Sequence, residues 1–345
     1  MFLAWRDMLF ARTRFLLMGL VLALMSILIV IISGLTAGLV NDGVSGLKAM
    51  GEEGAEVVAF EDGTQTDSAF TRSIVPLTAA DDLAAADGVA EAAPMGLSIV
   101  NARNQDGTPV DLTLIGVEPD SFIAPEGMPE IAERTETELE VTAFADGQRT
   151  FGHVDMGYVP LDVWQEAHAG VRAGEAAHEH AYGEASVVVA QGTPTGTVDG
   201  LDVRTLEESF QSSPGYGPET MTLSMIEWFL YIITALVTGA FFLVWTIQRS
   251  GDIAIMRAMG ATRGFLLRDS LGQAVVILAL SIGVGVALAV GLGLWLESSP
   301  MPYVTEFDRI AAGAGMLFIS GLIGALVAVF RVTRTDPHTA LGENR

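Results

Sequence analysis

At 345 residues, 50% hydrophobic and 17% charged, with mean hydropathy +0.44, the chain is too apolar for a single soluble domain and reads as a membrane protein. The formal net charge of −24 argues against a nucleic-acid partner, and the absence of cysteine excludes a disulfide framework, a thiolate metal site and a cysteine nucleophile. The single lysine, Lys48, lies in GLKAM and not in a G-x-x-x-x-G-K-[ST] loop, so ATP, if it drives this protein, is bound by a separate polypeptide.

Residues 1–14, MFLAWRDMLFARTR, mix apolar and basic positions and predict an interfacial amphipathic helix with Trp5 at headgroup level. Residues 15–40 carry no charge and exceed the roughly 20 residues a span requires, which makes them the first transmembrane helix. A cleaved signal peptide is the rival reading, but its apolar core would be shorter, about 7–15 residues. The N-terminus is expected in the cytoplasm.

Residues 41–222 turn acidic and rich in Gly and Pro, and no run within them is long enough to span. Strands are expected at 56–60, 95–102, 110–117, 140–144, 158–160 and 186–190, the second and third forming a hairpin around RNQDGTP. Helices are expected at 79–92 and 161–169. This is one α+β domain inserted between the first and second spans.

Residues 223–247, 271–297 and 310–330 are the remaining spans, separated by a short external loop at 298–309 and followed by a tail at 331–345. Small residues recur at Gly283, Ala287 and Gly291 in the third span and at Gly313, Gly321 and Ala325 in the fourth, a spacing that lets helix backbones approach. Arg6, Arg12, Arg14, Arg249, Arg257, Arg263, Arg268, Arg331, Arg334 and Arg345 flank the spans on one side. By the positive-inside rule both termini are cytoplasmic and residues 41–222 lie outside, in a multi-pass cell-membrane protein. The inserted domain holds most of the acidic residues; a solvated surface is the ordinary use of such charge, and a cationic partner the other.

Residues 248–270 are Arg-rich and have their own rhythm: Ile253, Ile255, Met256 and Met259, a break at Gly260, then Phe265, Leu266 and Leu267. A short amphipathic helix, a glycine stop and the start of the next helix account for it. The run GDIAIMRAMGATRGFLLRD resembles the cytoplasmic coupling loop of the FtsX/MacB-type permeases of ABC transporters, and DPHTAL in the tail resembles the ending common among them. Together with MFLAWRDMLFARTRF and GAFFLVWTIQRS, the pattern is most similar to the HrtB (haem exporter permease)/DevC subgroup.

The resemblance implies an α-helical membrane protein with four transmembrane helices and an inserted α+β extracytoplasmic domain between helices 1 and 2. It also implies a homodimer paired through the first two spans, lipid around it and two copies of a cognate ABC ATPase below. Ile253, Ile255, Met256, Arg257, Met259 and Gly260 are then the ATPase-contact candidates. Mechanotransmission would export a hydrophobic or amphipathic substrate, haem among the candidates, with no intrinsic cofactor and ATP bound by the partner. The alternative is an FtsX-like signal transmitter that regulates an extracytoplasmic cell-wall hydrolase without transporting anything; a sensor partnered with a kinase has topology alone behind it.

For haem, axial ligands are sought near the first two spans: Met25, Glu219 and Glu227, with Met221 and Tyr216 close by in sequence. Glu227 is the only acid inside an apolar run. The competing uses are helix packing for Met25 and hydration at the span end for the two acids. His168, His178 and His180 near Glu175, Glu179 and Glu184 form the only His/acid cluster by proximity in sequence, and His178 with His180 is a weak zinc candidate. An exposed loop is the other reading. No H-E-x-x-H, nucleophile elbow or nucleotide-binding glycine loop occurs, so a non-catalytic membrane subunit is expected.

Overall fold

The computed structural model describes residues 12–103, 108–125, 149–171, 177–248, 251, 255, 259–260, 262–299 and 301–334. The chain divides into two compact units, one of residues 1–38 with 222–345 and one of residues 39–221. Most of the expected N-terminal helix, the strand at 140–144, the turn residues 104–107 and the tail beyond residue 334 lie outside the described residues.

In chain order the elements are α1 (Arg12–Glu52), β1 (Val57–Glu61), α2 (Ala69–Arg72), β2 (Val75–Pro76), α3 (Thr78–Ala84), β3 (Val89–Arg103), β4 (Pro109–Val117), β5 (Thr150–Phe151), β6 (Val154–Pro160) and α4 (Leu161–His168). They continue with β7 (Glu184–Ala185), β8 (Val187–Gly192), β9 (Leu201–Thr205), α5 (Leu206–Ser209), α6 (Tyr216–Gln248), α7 (Arg263–Leu296) and α8 (Phe307–Arg334). Four of them, α1, α6, α7 and α8, are long and apolar enough to cross a membrane, and an α+β region separates the first from the second. This is the expected fold class, that of a multi-pass membrane protein.

The helices outrun the apolar segments from which the spans were read. α1 continues past residue 40 to Glu52, α6 begins at Tyr216 before residue 223, α7 begins at Arg263 before 271, and α8 covers 307–334 where 310–330 was expected. Hydropathy marks where lipid would begin, whereas a helix persists as long as its backbone bonds and packing do. α1 leaves helical geometry at Val44 (φ −145°, ψ 18°). The Gly43 carbonyl accepts there from the Gly152 amide (2.9 Å) and from Ser213 Oγ (2.9 Å).

In the first unit, Phe15, Met18, Leu22 and Ile29 of α1 pack with Leu230 and Phe242 of α6, Ile277 and Leu278 of α7, and Leu317 and Val329 of α8. A Cβ at Gly324 of α8 would stand 2.0 Å from the Ala235 carbonyl oxygen of α6, so these two backbones touch. The expected small-residue row on α8 does face inward: Gly313 meets Ile29, Gly321 meets Leu278, and Ala325 is buried. The row expected on α7 does not. Gly283, Ala287 and Gly291 are exposed, and nothing approaches the two glycines. The close approach is made by Gly285, one step round the helix, whose Cβ would lie 2.6 Å from the Ala23 carbonyl oxygen.

In the second unit, seven strands form one sheet in the order β5-β6-β4-β3-β8-β1-β9. The expected β3/β4 hairpin is present, antiparallel from Met95↔Val117 to Arg103↔Pro109, while β4 and β6 run parallel. Alternation along the strands covers both faces. Val58, Phe60, Val187 and Val189 join Val44, Leu47 and Met50 of α1 on one side, and Val57, Ala59, Val188 and Ala190 join α3 on the other. On the α3 side, α4 lays Trp164 over a glycine pair, Gly96 of β3 and its partner Gly116 of β4.

One expectation is corrected here. Residues 79–92 are not one helix: α3 stops at Ala84, Gly88 turns the chain at φ 99°, and β3 starts at Val89. Alanine-rich AEAA has helix propensity, but cross-strand partners on β8 decide its state.

Candidate functional site

Glu227 of α6 is half-buried, and its Oε1 accepts a hydrogen bond from Ser33 Oγ of α1 at 3.1 Å. Ser33 is buried, and a Cβ at Gly313 of α8 would lie 3.6 Å from its hydroxyl and 3.7 Å from that of Tyr231. The one acid within the apolar stretch of α6 is therefore aimed between helices and not into lipid, where an ionised group is costly. Met25 is partly buried and packs against the apolar core of the four helices. An apolar groove of about 580 Å³ runs between α1 and α7, lined among others by Phe15, Gly19, Ala23, Ile277 and Leu280. A smaller one of about 300 Å³ lies between α1 and α6, next to Met18, Phe241 and Trp245. Arg14 and Gln248, which are hydrogen-bonded, also line it.

Glu219, Tyr216 and Met221 belong to the other unit. Met221 is exposed, and Tyr216 sets its ring edge-on to Phe210, centroids 6.3 Å apart. Glu219, in the first turn of α6, is not free: its Oε2 stands 3.1 Å from Nε2 of His153, whose Nδ1 stands 2.9 Å from Oδ2 of Asp42. His153 sits with Gly152 in the two-residue turn between β5 and β6, at φ 66° and 57°. Positive φ at both positions suits a tight hairpin of primed type. For a residue with a side chain it is uncommon, although histidine tolerates it better than most. Reading the sequence passed over His153. The available signal was local, a Gly-His pair between two short apolar runs; Asp42 and Glu219 are brought to it only by the fold.

Of the coupling-loop candidates, Ile253, Met256 and Arg257 lie outside the described residues. Ile255 is helical, and its carbonyl accepts the Met259 amide at 3.0 Å. Both side chains are exposed, Ile255 by 61% and Met259 by 76%, which leaves a pair of apolar knobs uncovered. Gly260 follows at φ 98°, and Thr262 Oγ1 accepts the Phe265 amide at 3.3 Å as the N-cap of α7. At these described positions the expected order of helical residues, glycine and new helix is present.

The histidines of the sequence cluster have separate surroundings. His168 stacks on Trp164 (4.7 Å, 19°), with Nδ1 3.1 Å from Ser98 Oγ. His178 and His180 are exposed around the short 3₁₀ turn Glu179–Gly183, and Glu175 lies outside the described residues. No group of three or more His or acid side chains among the described residues converges on one point as a metal cage would.

Residues 224–337 match the family described as FtsX-like permease C-terminal, covering α7, α8 and the part of α6 from Ser224 on. The hemin transport system permease protein HrtB of Staphylococcus epidermidis (strain ATCC 12228) is 30% identical over 145 residues, 42% of this chain and 41% of that protein. HrtB of Staphylococcus haemolyticus is 30% identical over 127 residues, 37% of this chain and 36% of that protein. The chain thus spans about two fifths of the length of the curated relatives it matches. The match falls on the last three candidate spans and takes in the loop from which the resemblance was read.

Proposed function

We propose, from the FtsX-like permease C-terminal domain at residues 224–337, that this chain is the permease subunit of an ATP-driven exporter whose substrate is hemin. The match over that region carries the reading, because it includes the turn that exposes Ile255 and Met259. A separate ABC ATPase binds and hydrolyses ATP and docks on these knobs, two copies for a permease homodimer; the chain itself is non-catalytic and holds no resident cofactor. On this reading both termini are cytoplasmic and residues 41–222 are external, which the arginine bias supports. The substrate class draws on the names of the two relatives and on the apolar character of the described bundle, where Glu227 is the acid set within a span and an ion-coupled carrier would need a relay of several.

The test is hemin efflux from cells expressing the chain with its ATPase. Export that requires ATP hydrolysis supports the proposal. Hemin export that persists with an ATPase unable to hydrolyse ATP refutes it. Absence of export, together with co-purification of an extracytoplasmic cell-wall hydrolase, assigns the chain to signal transmission instead.

A further inference from the structure

We infer that His153 is an axial ligand for the iron of a metalloporphyrin, presented by the external unit with Asp42 as its orienting partner and Glu219 as a displaceable cover. This rests on the hemin reading above and assigns it a residue outside the membrane helices.

Four observations carry it. First, His153 is held in a backbone conformation that costs a side-chain-bearing residue energy, at a turn position where glycine would be unstrained. Second, Asp42 of α1 stands 2.9 Å from Nδ1, the arrangement in which a carboxylate accepts the Nδ1 proton and leaves Nε2 as the ligating atom. Third, what covers Nε2 is movable: Glu219 is 39% exposed and is held by one contact to a ring itself 31% exposed. Fourth, the site has an aromatic neighbour across Gly43: a Cβ there would lie 3.8 Å from both His153 Cε1 and Tyr216 Cδ2, so the imidazole and the phenol ring flank one point of α1.

The donor set selects the form of the metal. A bare divalent ion wants three or four protein ligands, but Asp42 and Glu219 lie at opposite nitrogens and cannot meet at one ion. Iron already held by four porphyrin nitrogens needs only an axial donor. Ligation breaks the Nε2–H bond, forms Nε2–Fe and passes the proton to the Glu219 carboxylate or to water. Among the described residues, Asp42 and Glu219 are the ionisable groups in contact with the ring, and neither has another ion-pair partner.

The experiment titrates hemin into the full chain in nanodiscs and follows the Soret band, with resonance Raman for the iron–imidazole stretch. Two variants accept the backbone at residue 153: His153→Asn, which tolerates positive φ, and His153→Gly, which relaxes it. The expected result is an imidazole-ligated spectrum in the parent protein and at least a tenfold weaker, histidine-free spectrum in both variants. Added imidazole should restore the signature in His153→Gly, a rescue that a merely structural role would not give. Zinc ion alone should not compete. A parent protein without an imidazole signature, variants that keep it, or zinc competition that depends on His153 would each overturn the assignment. ATPase-dependent hemin efflux, measured separately, reports on the permease reading whichever of these occurs.

Discussion

Alanine at Gly96 should damage the sheet-bearing unit, and the structure sets the size of the effect. The new Cβ would lie 2.0 Å from Trp164 Cδ2 and 2.3 Å from Cε3, and alanine at the paired Gly116 would lie 2.3 Å from Trp164 Cβ. Since carbon atoms in contact sit about 3.5–4.0 Å apart, the indole would have to retreat by roughly 1.5 Å. It has little freedom to do so. Trp164 is 1% exposed, its Nε1 donates to Ser98 Oγ at 3.0 Å, and His168 stacks on its outer side. Overpacking of this kind costs about 1–3 kcal/mol. In a unit of this size each kcal/mol shifts the midpoint by roughly 2–4 °C, so Gly96→Ala should lower the apparent melting temperature by about 2–12 °C. Thermal unfolding of the full chain in detergent, read by near-ultraviolet circular dichroism, measures it. On a Trp164→Phe background the smaller ring should accept the methyl group with less than half the penalty, because the two sites share one space. If Gly96→Ala and Gly116→Ala both leave the midpoint within about 1 °C, the indole does not rest on this glycine pair.

Other perturbations address the membrane unit, the turn at Gly260 and pH. Gly324→Leu places a side chain where α8 touches the Ala235 carbonyl of α6; separation of these helices should appear as loss of monodisperse protein in detergent, whereas Gly283→Leu, on the exposed face of α7, should be tolerated. Ser33→Ala removes the donor to Glu227 and should cost roughly 0.5–2 kcal/mol in thermal stability, while Glu227→Gln keeps an acceptor and should cost less; equal losses would contradict the hydrogen bond. Gly260→Val forces a β-branched residue to φ 98°; on the proposed export reading it should uncouple ATP turnover from hemin efflux while leaving ATPase turnover measurable, and tight coupling in this variant would remove the turn from the proposed transmission path. Burial raises the phenol of Tyr158 above its usual value, with partial opposition from Arg149. A raised folded-state value means that its contribution to stability is complete below the ordinary phenol range near pH 10 and is lost as pH rises through the folded value. Alkaline melts of the parent protein should show this loss, and Tyr158→Phe should abolish it.

Much of the architecture was legible in the sequence because it depends on neighbours in the chain. Twenty or more apolar residues in succession specify a span whatever else is nearby, and the turn at Gly260 is announced by a glycine stop between two apolar-patterned runs. The β3/β4 hairpin was likewise visible as two patterned runs around a turn. Where alternatives are local and balanced, the tertiary structure chose. The AEAA segment became strand because β8 lies beside it, and Gly285 packs where Gly283 and Gly291 were expected because both rows have the same spacing and only the position of α1 distinguishes them.

The site shows the same division. Sequence alone singled out Glu227, the one acid in an apolar run, and Glu219 as an acid near a span, since burial cost and proximity to a span are properties of a segment. It contained no sign that Asp42, His153 and Glu219 meet. That meeting depends on the break in α1 at Val44, on the hydrogen bonds by which Gly152 and Ser213 take the freed Gly43 carbonyl, and on a hairpin turn that holds histidine at positive φ. Spans, inserted domain and the turn at Gly260 follow from the chemistry of successive residues. Which distant side chains face one another follows only from the path the folded backbone takes to satisfy its own polar groups.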